Sequence, residues 1–171
     1  MRENIGAEVR RRGGEPSLAE WADAFDDWRS AWDACPRCDW LLWIAQQLGA
    51  PDALLFEAAV RSSVATLHDL PAGVVDAFER ALERWRDGSA ERAEVLRAVE
   101  RCSDAMNTGG NPLRIMINFP DGTQRQVTPE DLTDADMRAQ VLAGVEAHSL
   151  ERGARVVRDV IRFSSLGAAL N

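Results

Sequence analysis

The sequence predicts a mainly α-helical protein: an N-terminal bundle of about five helices, then a small C-terminal α+β module of a β-hairpin and a helix, with residues 154–164 readable as a third strand. Three observations predict it. Apolar residues recur at helical intervals from Ser17 to Met106. A hydrophobic content of 46% over 171 residues suits a folded chain with a real core. The pattern then changes at "NTGGNP", Asn107 to Pro112, into two strand-like runs around Asp121-Gly122. The implied organisation is a flexible lead over 1–16, a helical domain over 17–106, a linker over 107–112 and the module over 113–171.

The first helix is expected to start at Ser17-Leu18-Ala19-Glu20, which fits a capping box, and to end near Ala34. Trp21, Phe25, Trp28 and Trp32 fall on one face of it, with Asp23, Asp26, Asp27 and Asp33 on the rest. Pro36 suits the first turn of the second helix, and Asp39 favours the positive end of its dipole. Trp40, Leu41, Ile44, Ala45 and Leu48 form its buried stripe, and Gly49 with Pro51 stops it. Asp52 caps a third helix with Leu55, Ala58, Ala59, Ser62 and Thr66 on one face. A fourth runs to about Asp87 with Val74, Val75, Phe78, Leu82 and Trp85 inward, and Ser89 opens a fifth with Val95, Val99, Cys102 and Met106.

In the module, Leu113, Ile115, Ile117 and Phe119 alternate with polar or longer residues, as in a strand with one apolar face. A helix is expected from about Asp131 or Thr133 to Arg152. Val156, Val157, Val160 and Ile161 would also fit a helix, but Gly153 reads as a cap, which favours a strand beyond it.

The net charge is −8, and all basic residues are Arg. The acid is concentrated before Asn107, with 20 carboxylates against 13 Arg, compared with 8 against 7 after it. That balance argues against nucleic acid as a partner and permits a protein partner that is basic at the contact. The N-terminus has no apolar segment after its basic residues, and no apolar run approaches the length of a membrane span. A cytoplasmic location with no membrane contact is the expectation.

Cys35-Pro36-Arg37-Cys38 raises the question of redox or metal chemistry. A structural zinc site wants paired ligand sets, and the other candidates, Cys102, His68 and His148, are unpaired, so no metal is expected. A thioredoxin-like pair at a helix start needs a preceding strand, which is missing, so Cys35 and Cys38 read as a helix start with incidental thiols. No nucleophile elbow, phosphate loop or His-Glu-x-x-His occurs, and neither a catalytic residue nor a cofactor is expected. The aromatics are more telling. Trp21, Trp28, Trp32, Trp40 and Trp43 cluster in sequence, and Trp43 lies beside its helix's main stripe. If exposed with Trp21 or Trp28, Trp43 would make an aromatic anchor in an acidic rim, as in protein-binding hot spots, and Trp28, Trp43, Asp26 and Asp27 are the candidate contact residues.

"AWDACPRCDWLLWIAQQLGAPDALLFEAAVRSS" and "ALERWRDGSAERAEVLRAVERCSDA" give the pattern a family context. Trp32, Cys35, Arg37, Asp39, Trp40, Leu41, Leu42 and Trp43, followed by Glu83, Arg84, Trp85, Gly88, Glu94, Val95 and Arg97, resemble the two recurring segments of the helical, Trp-containing immunity proteins of bacterial polymorphic toxin systems, the immunity protein five-like domains. The likeness spans roughly residues 30–106. Cys38 departs from that pattern, and so does everything after Asn107. The resemblance implies a helical, non-catalytic protein that binds and occludes a cognate toxin. A second reading is an adaptor of a bacterial conflict or defence system, whose C-terminal module recruits a partner or forms a homodimer. A distant third is a thiol oxidoreductase using Cys35 and Cys38.

Overall fold

A computed structural model describes residues 4–67, 69–108, 115–118, 124–127 and 135–166. Among them the chain forms eight α-helices: α1 (Ile5–Arg11), α2 (Pro16–Ala22), α3 (Trp28–Ala34), α4 (Cys38–Gln47), α5 (Asp52–Thr66), α6 (Ala72–Arg86), α7 (Arg92–Thr108) and α8 (Ala135–Val160). β1 (Ile115–Asn118) pairs antiparallel with β2 (Gln124–Val127), Ile115 opposite Val127 and Asn118 opposite Gln124. A single 3-10 turn, Phe163–Ser165, follows α8. No helix among the described residues is long and apolar enough to cross a membrane.

The chain divides into two compact units, one of Met1–Thr66 with Leu150–Asn171, the other of Leu67–Ser149. This overturns the predicted fold class. The molecule is mainly helical, the four-pair ladder is the only β structure among the described residues, and no separate α+β module follows a five-helix bundle. The third strand is replaced by helix. Ala154, Val157 and Ile161 recur at helical spacing and are fully buried in the first unit's core, so the 3.6-residue period prevails over the apparent alternation. Gly153 does not cap α8 but lies inside it. A Cβ there would meet Cys38 Sγ at 3.0 Å and Thr66 Cγ2 at 3.3 Å, so its role is close helix approach. The linker's residues 109–112, the Asp121-Gly122 turn and the expected helix starts at Asp131 and Thr133 lie outside the described residues.

The N-terminal stretch is also corrected. Residues 5–11 of the supposed flexible lead are α1, capped by Asn4, whose side chain accepts from Ala7 N at 3.0 Å, with Ile5 and Val9 buried. The single helix expected over 17–34 is broken into α2 and α3. Asp27 causes the break: it takes an extended conformation, and its carboxylate accepts from Ser30 N at 2.8 Å, starting α3 anew. The Ser17 capping box does not form. Ser17 Oγ donates instead to Glu15 Oε1 at 2.9 Å, and α2 begins at Pro16.

α4 starts after Arg37 rather than at Pro36, and Asp52 is the first residue of α5 rather than its cap. Ser89 lies in the turn before α7, which begins at Arg92. The stripe expected on α4 is buried in full: Trp40, Leu41, Ile44, Ala45 and Leu48. α4 ends in a Schellman motif, with Ala50 N donating to Ala45 O at 2.9 Å and Gly49 N to Gln46 O at 3.1 Å. Gly49 has φ +78°, which a side chain would strain.

In the first unit, α1 to α5 and the end of α8 enclose a core centred on Leu18, Trp32, Leu41 and Ile44, completed by Val157, Ile161 and Leu166. Arg158 tethers α8 there: its Nε donates to Trp32 O at 3.2 Å and its Nη2 to Cys35 O, closing the C-terminal end of α3. In the second unit, α6 and α7 pack together and bury Phe78, Leu82, Val95, Ala98 and Cys102.

Candidate functional site

The predicted site residues separate. Trp28 is core, with only 8% of its surface exposed, and the Arg12 guanidinium lies over its ring at 5.8 Å. It cannot serve as an exposed anchor. Asp27 is exposed, but its carboxylate is engaged by Ser30 N and Ser30 Oγ at the start of α3. Asp26 is exposed at the α2–α3 connection. Of the two tryptophans, Trp43 is the part-exposed one. It is half-buried and, with Leu42, Gln46, Asp52, Leu55 and Ala59, lines a groove of about 340 Å³ on the α4–α5 pair. One edge of its indole lies against the chain at Gly14, where a Cβ would come within 3.1 Å of Trp43 Cζ2.

A second aromatic line lies on the same unit. Phe25 and Trp21, both half-buried, have ring centroids 4.7 Å apart, and Trp21 lies 5.4 Å from Trp40. Trp40 Nε1 donates to Glu15 Oε1. The Arg37 guanidinium covers the Trp40 ring at 4.5 Å while gripping Asp39 through Nε at 3.1 Å and Nη2 at 2.6 Å. That grip holds the Asp39 carboxyl below the usual carboxylate range. Arg10, hydrogen-bonded to Asp23, lowers that carboxyl too. Trp43 follows Trp40 by three residues on α4, so the two aromatics are neighbours on the helix surface.

The cysteines are placed against redox use. Cys35 is buried at the C-terminal end of α3, not at a helix start, and its Sγ donates to Arg37 O at 3.4 Å. Desolvation pushes its thiol up to about 11, and burial also raises Cys38. A reactive thiol needs the opposite shift. Both cysteines are free. No group of His, Cys, Asp and Glu that could hold a metal ion is found among the described residues; His148 is exposed, and His68 lies outside them.

Sequence reasoning missed Arg158, whose role depends on a contact 126 residues away in the chain. It also placed Trp21 and Phe25 on the same helical face as Trp28, although the break at Asp27 removes that relation. The signal was present in the pair Asp26-Asp27, an N-cap candidate that interrupts the apolar period.

Regrouping the charges by unit changes the electrostatic picture. The first unit carries 13 carboxylates against 11 Arg, the second 15 against 9. Along the first unit's sequence, Gly13 to Trp28 holds Glu15, Glu20, Asp23, Asp26 and Asp27 and no basic residue, but in the fold Arg10 of α1 pairs with Asp23. The chain matches no protein-family model, no curated protein and no solved structure.

Proposed function

We propose that this chain is a non-catalytic protein-binding protein, an immunity protein of a bacterial polymorphic toxin system that binds its cognate toxin and occludes it. One observation carries the reading: Trp43 stands half-exposed in an open groove of mixed lining, apolar at Leu42 and Leu55 and polar at Gln46 and Asp52, on the segment whose residues resemble the immunity proteins. A rigid, part-exposed aromatic with polar groups at its rim is a usual centre of a protein-binding hot spot, because it buries much area at little cost in side-chain entropy.

The adaptor reading required a self-contained module over 113–171, and the division of the chain, with Leu150–Asn171 in the first unit, gives it no support. The test is co-expression with a toxin domain encoded beside this gene. Rescue of growth, weakened by Trp43→Ser with the circular dichroism unchanged, is expected. Absence of rescue by the native chain overturns the reading.

A further inference from the structure

α1 ends in a Schellman motif: Gly14 N donates to Val9 O at 2.9 Å and Gly13 N to Arg10 O at 3.2 Å, with Gly13 at φ +78°. These bonds fix the backbone of Gly14 in a narrow gap between α1 and α4. A Cβ there would meet Val9 Cγ1 at 2.4 Å, Trp43 Cζ2 at 3.1 Å and Trp43 Cη2 at 3.2 Å. The turn is also tied to the far end of α4. Arg12, just before the two glycines, donates from Nη1 to Gln47 O at 2.8 Å and from Nε to Glu8 Oε1 at 2.6 Å. Gln47 lies one helical turn beyond Trp43. The benzene-ring edge of Trp43 therefore meets bare backbone that hydrogen bonds hold in place, while the same side chain lines the α4–α5 groove.

We infer that the turn over residues 12–14 is a positioning device for Trp43: Gly14 is the stop against which the indole edge rests, and Arg12 locks that stop to α4. A half-exposed tryptophan without such a stop samples several rotamers, and ordering it on binding costs free energy. Backbone makes a firmer stop than a side chain, because it has no rotamers of its own. Only glycine leaves room for the ring; a side chain at Gly14 pushes the indole out of its place. The inference deepens the proposed function by giving Trp43 two positioning residues, Gly14 and Arg12. It rests on that reading only for what Trp43 contacts.

The test follows the indole N–H signals of the full chain labelled with nitrogen-15, with no partner present. In the native chain the Trp43 heteronuclear NOE is expected to match that of the buried Trp32. Gly14→Ala is expected to lower the urea midpoint and to shift the Trp43 signal more than those of the other five indoles. In a Trp43→Phe background, whose smaller ring does not reach the added methyl group, Gly14→Ala is expected to lower the midpoint less. Arg12→Gln, which leaves Gly14 in place, is expected to lower the Trp43 NOE and not that of Trp32. A glycine needed only for the fold predicts equal losses in the two backgrounds and an unmoved Trp43 signal, and either result overturns the inference. So does a native Trp43 NOE far below that of Trp32. If Gly14→Ala unfolds in both backgrounds, Arg12→Gln decides, and an unchanged Trp43 NOE there overturns the inference. Failure of toxin rescue with the signals as expected removes the immunity reading and keeps the positioning. Rescue with unmoved signals removes the positioning alone.

Discussion

In the second unit, α6 and α7 are joined by a short turn and bury Phe78 and Leu82 alongside Val95 and Cys102. In the first, the core joins Ile5 to Leu166, and Arg158 reaches back to the end of α3. One unit has a hairpin closed by neighbours in sequence; the other is closed only when the last turns of α8 arrive. Local closure costs little loop entropy, whereas the first unit must order most of the chain before its core is complete. The aromatic surface singled out for binding belongs to the unit that depends on distant contacts.

The largest expected effect therefore comes from ending the chain at Ser149. This removes Ala154, Val157, Ile161 and Leu166 from the first core, and each buried branched side chain contributes about 1.5–3 kcal/mol. Their sum approaches the whole stability of a typical domain, about 5–15 kcal/mol. Calorimetry should show the first unit's cooperative transition lost, and a retained transition would break the contrast between the units. Trp40→Ala should cost about 3–5 kcal/mol as a core truncation in denaturant titration, whereas Trp85→Ala, half-buried on α6, should cost about 1–2 kcal/mol. Equal losses would show that the two units bury their indoles alike.

Cys35 gives a pH signature in the first unit, to which Cys38, and Cys102 in the second unit, add in the same direction. Its thiol is raised from 9.0 to about 11 by desolvation, so the native state keeps a proton that the unfolded chain releases above pH 9. Stability should be fully present below pH 9 and fall by about 2–3 kcal/mol as pH rises from 9 to 11. Cys35→Ala should reduce that slope in urea titrations across the range, leaving the smaller contribution of Cys38 and Cys102. Arg158→Gln should cost about 1.5–3 kcal/mol through its charge-assisted bonds to Trp32 O and Cys35 O, measured the same way. At the small end, Arg29→Ala breaks an exposed pair with Asp33 and its stacking on Phe163 and should cost about 1 kcal/mol or less.

What could be read from the sequence follows the same division. The α4 stripe and its stop at Gly49 are set by residues within a few turns, and both were legible. So were α6 and its inward Phe78 and Leu82. The break at Asp27 was not, because Trp28 and Trp32 continue the apolar period of Trp21 and Phe25 across it. The strand expected over 154–164 failed for a different reason. Its valines satisfy either period, and only the core provided by α1 to α5 selects the helical one. At the site, Trp43 could be singled out by its place beside the stripe, but Trp28 was misjudged because its cover, Arg12, comes from another helix. Resemblance alone suggested immunity, and composition alone suggested acid, whereas the fold brings Arg10 of α1 onto Asp23 beyond the end of α2.

Hydrogen exchange of the native chain, alone and bound to the toxin domain encoded beside it, tests the proposed mode of binding most directly. Protection on binding is predicted in α4 and α5, around Trp43 and Leu55, with α6 and α7 unchanged. Protection confined to α6 and α7, or absent from α4 and α5, would contradict it.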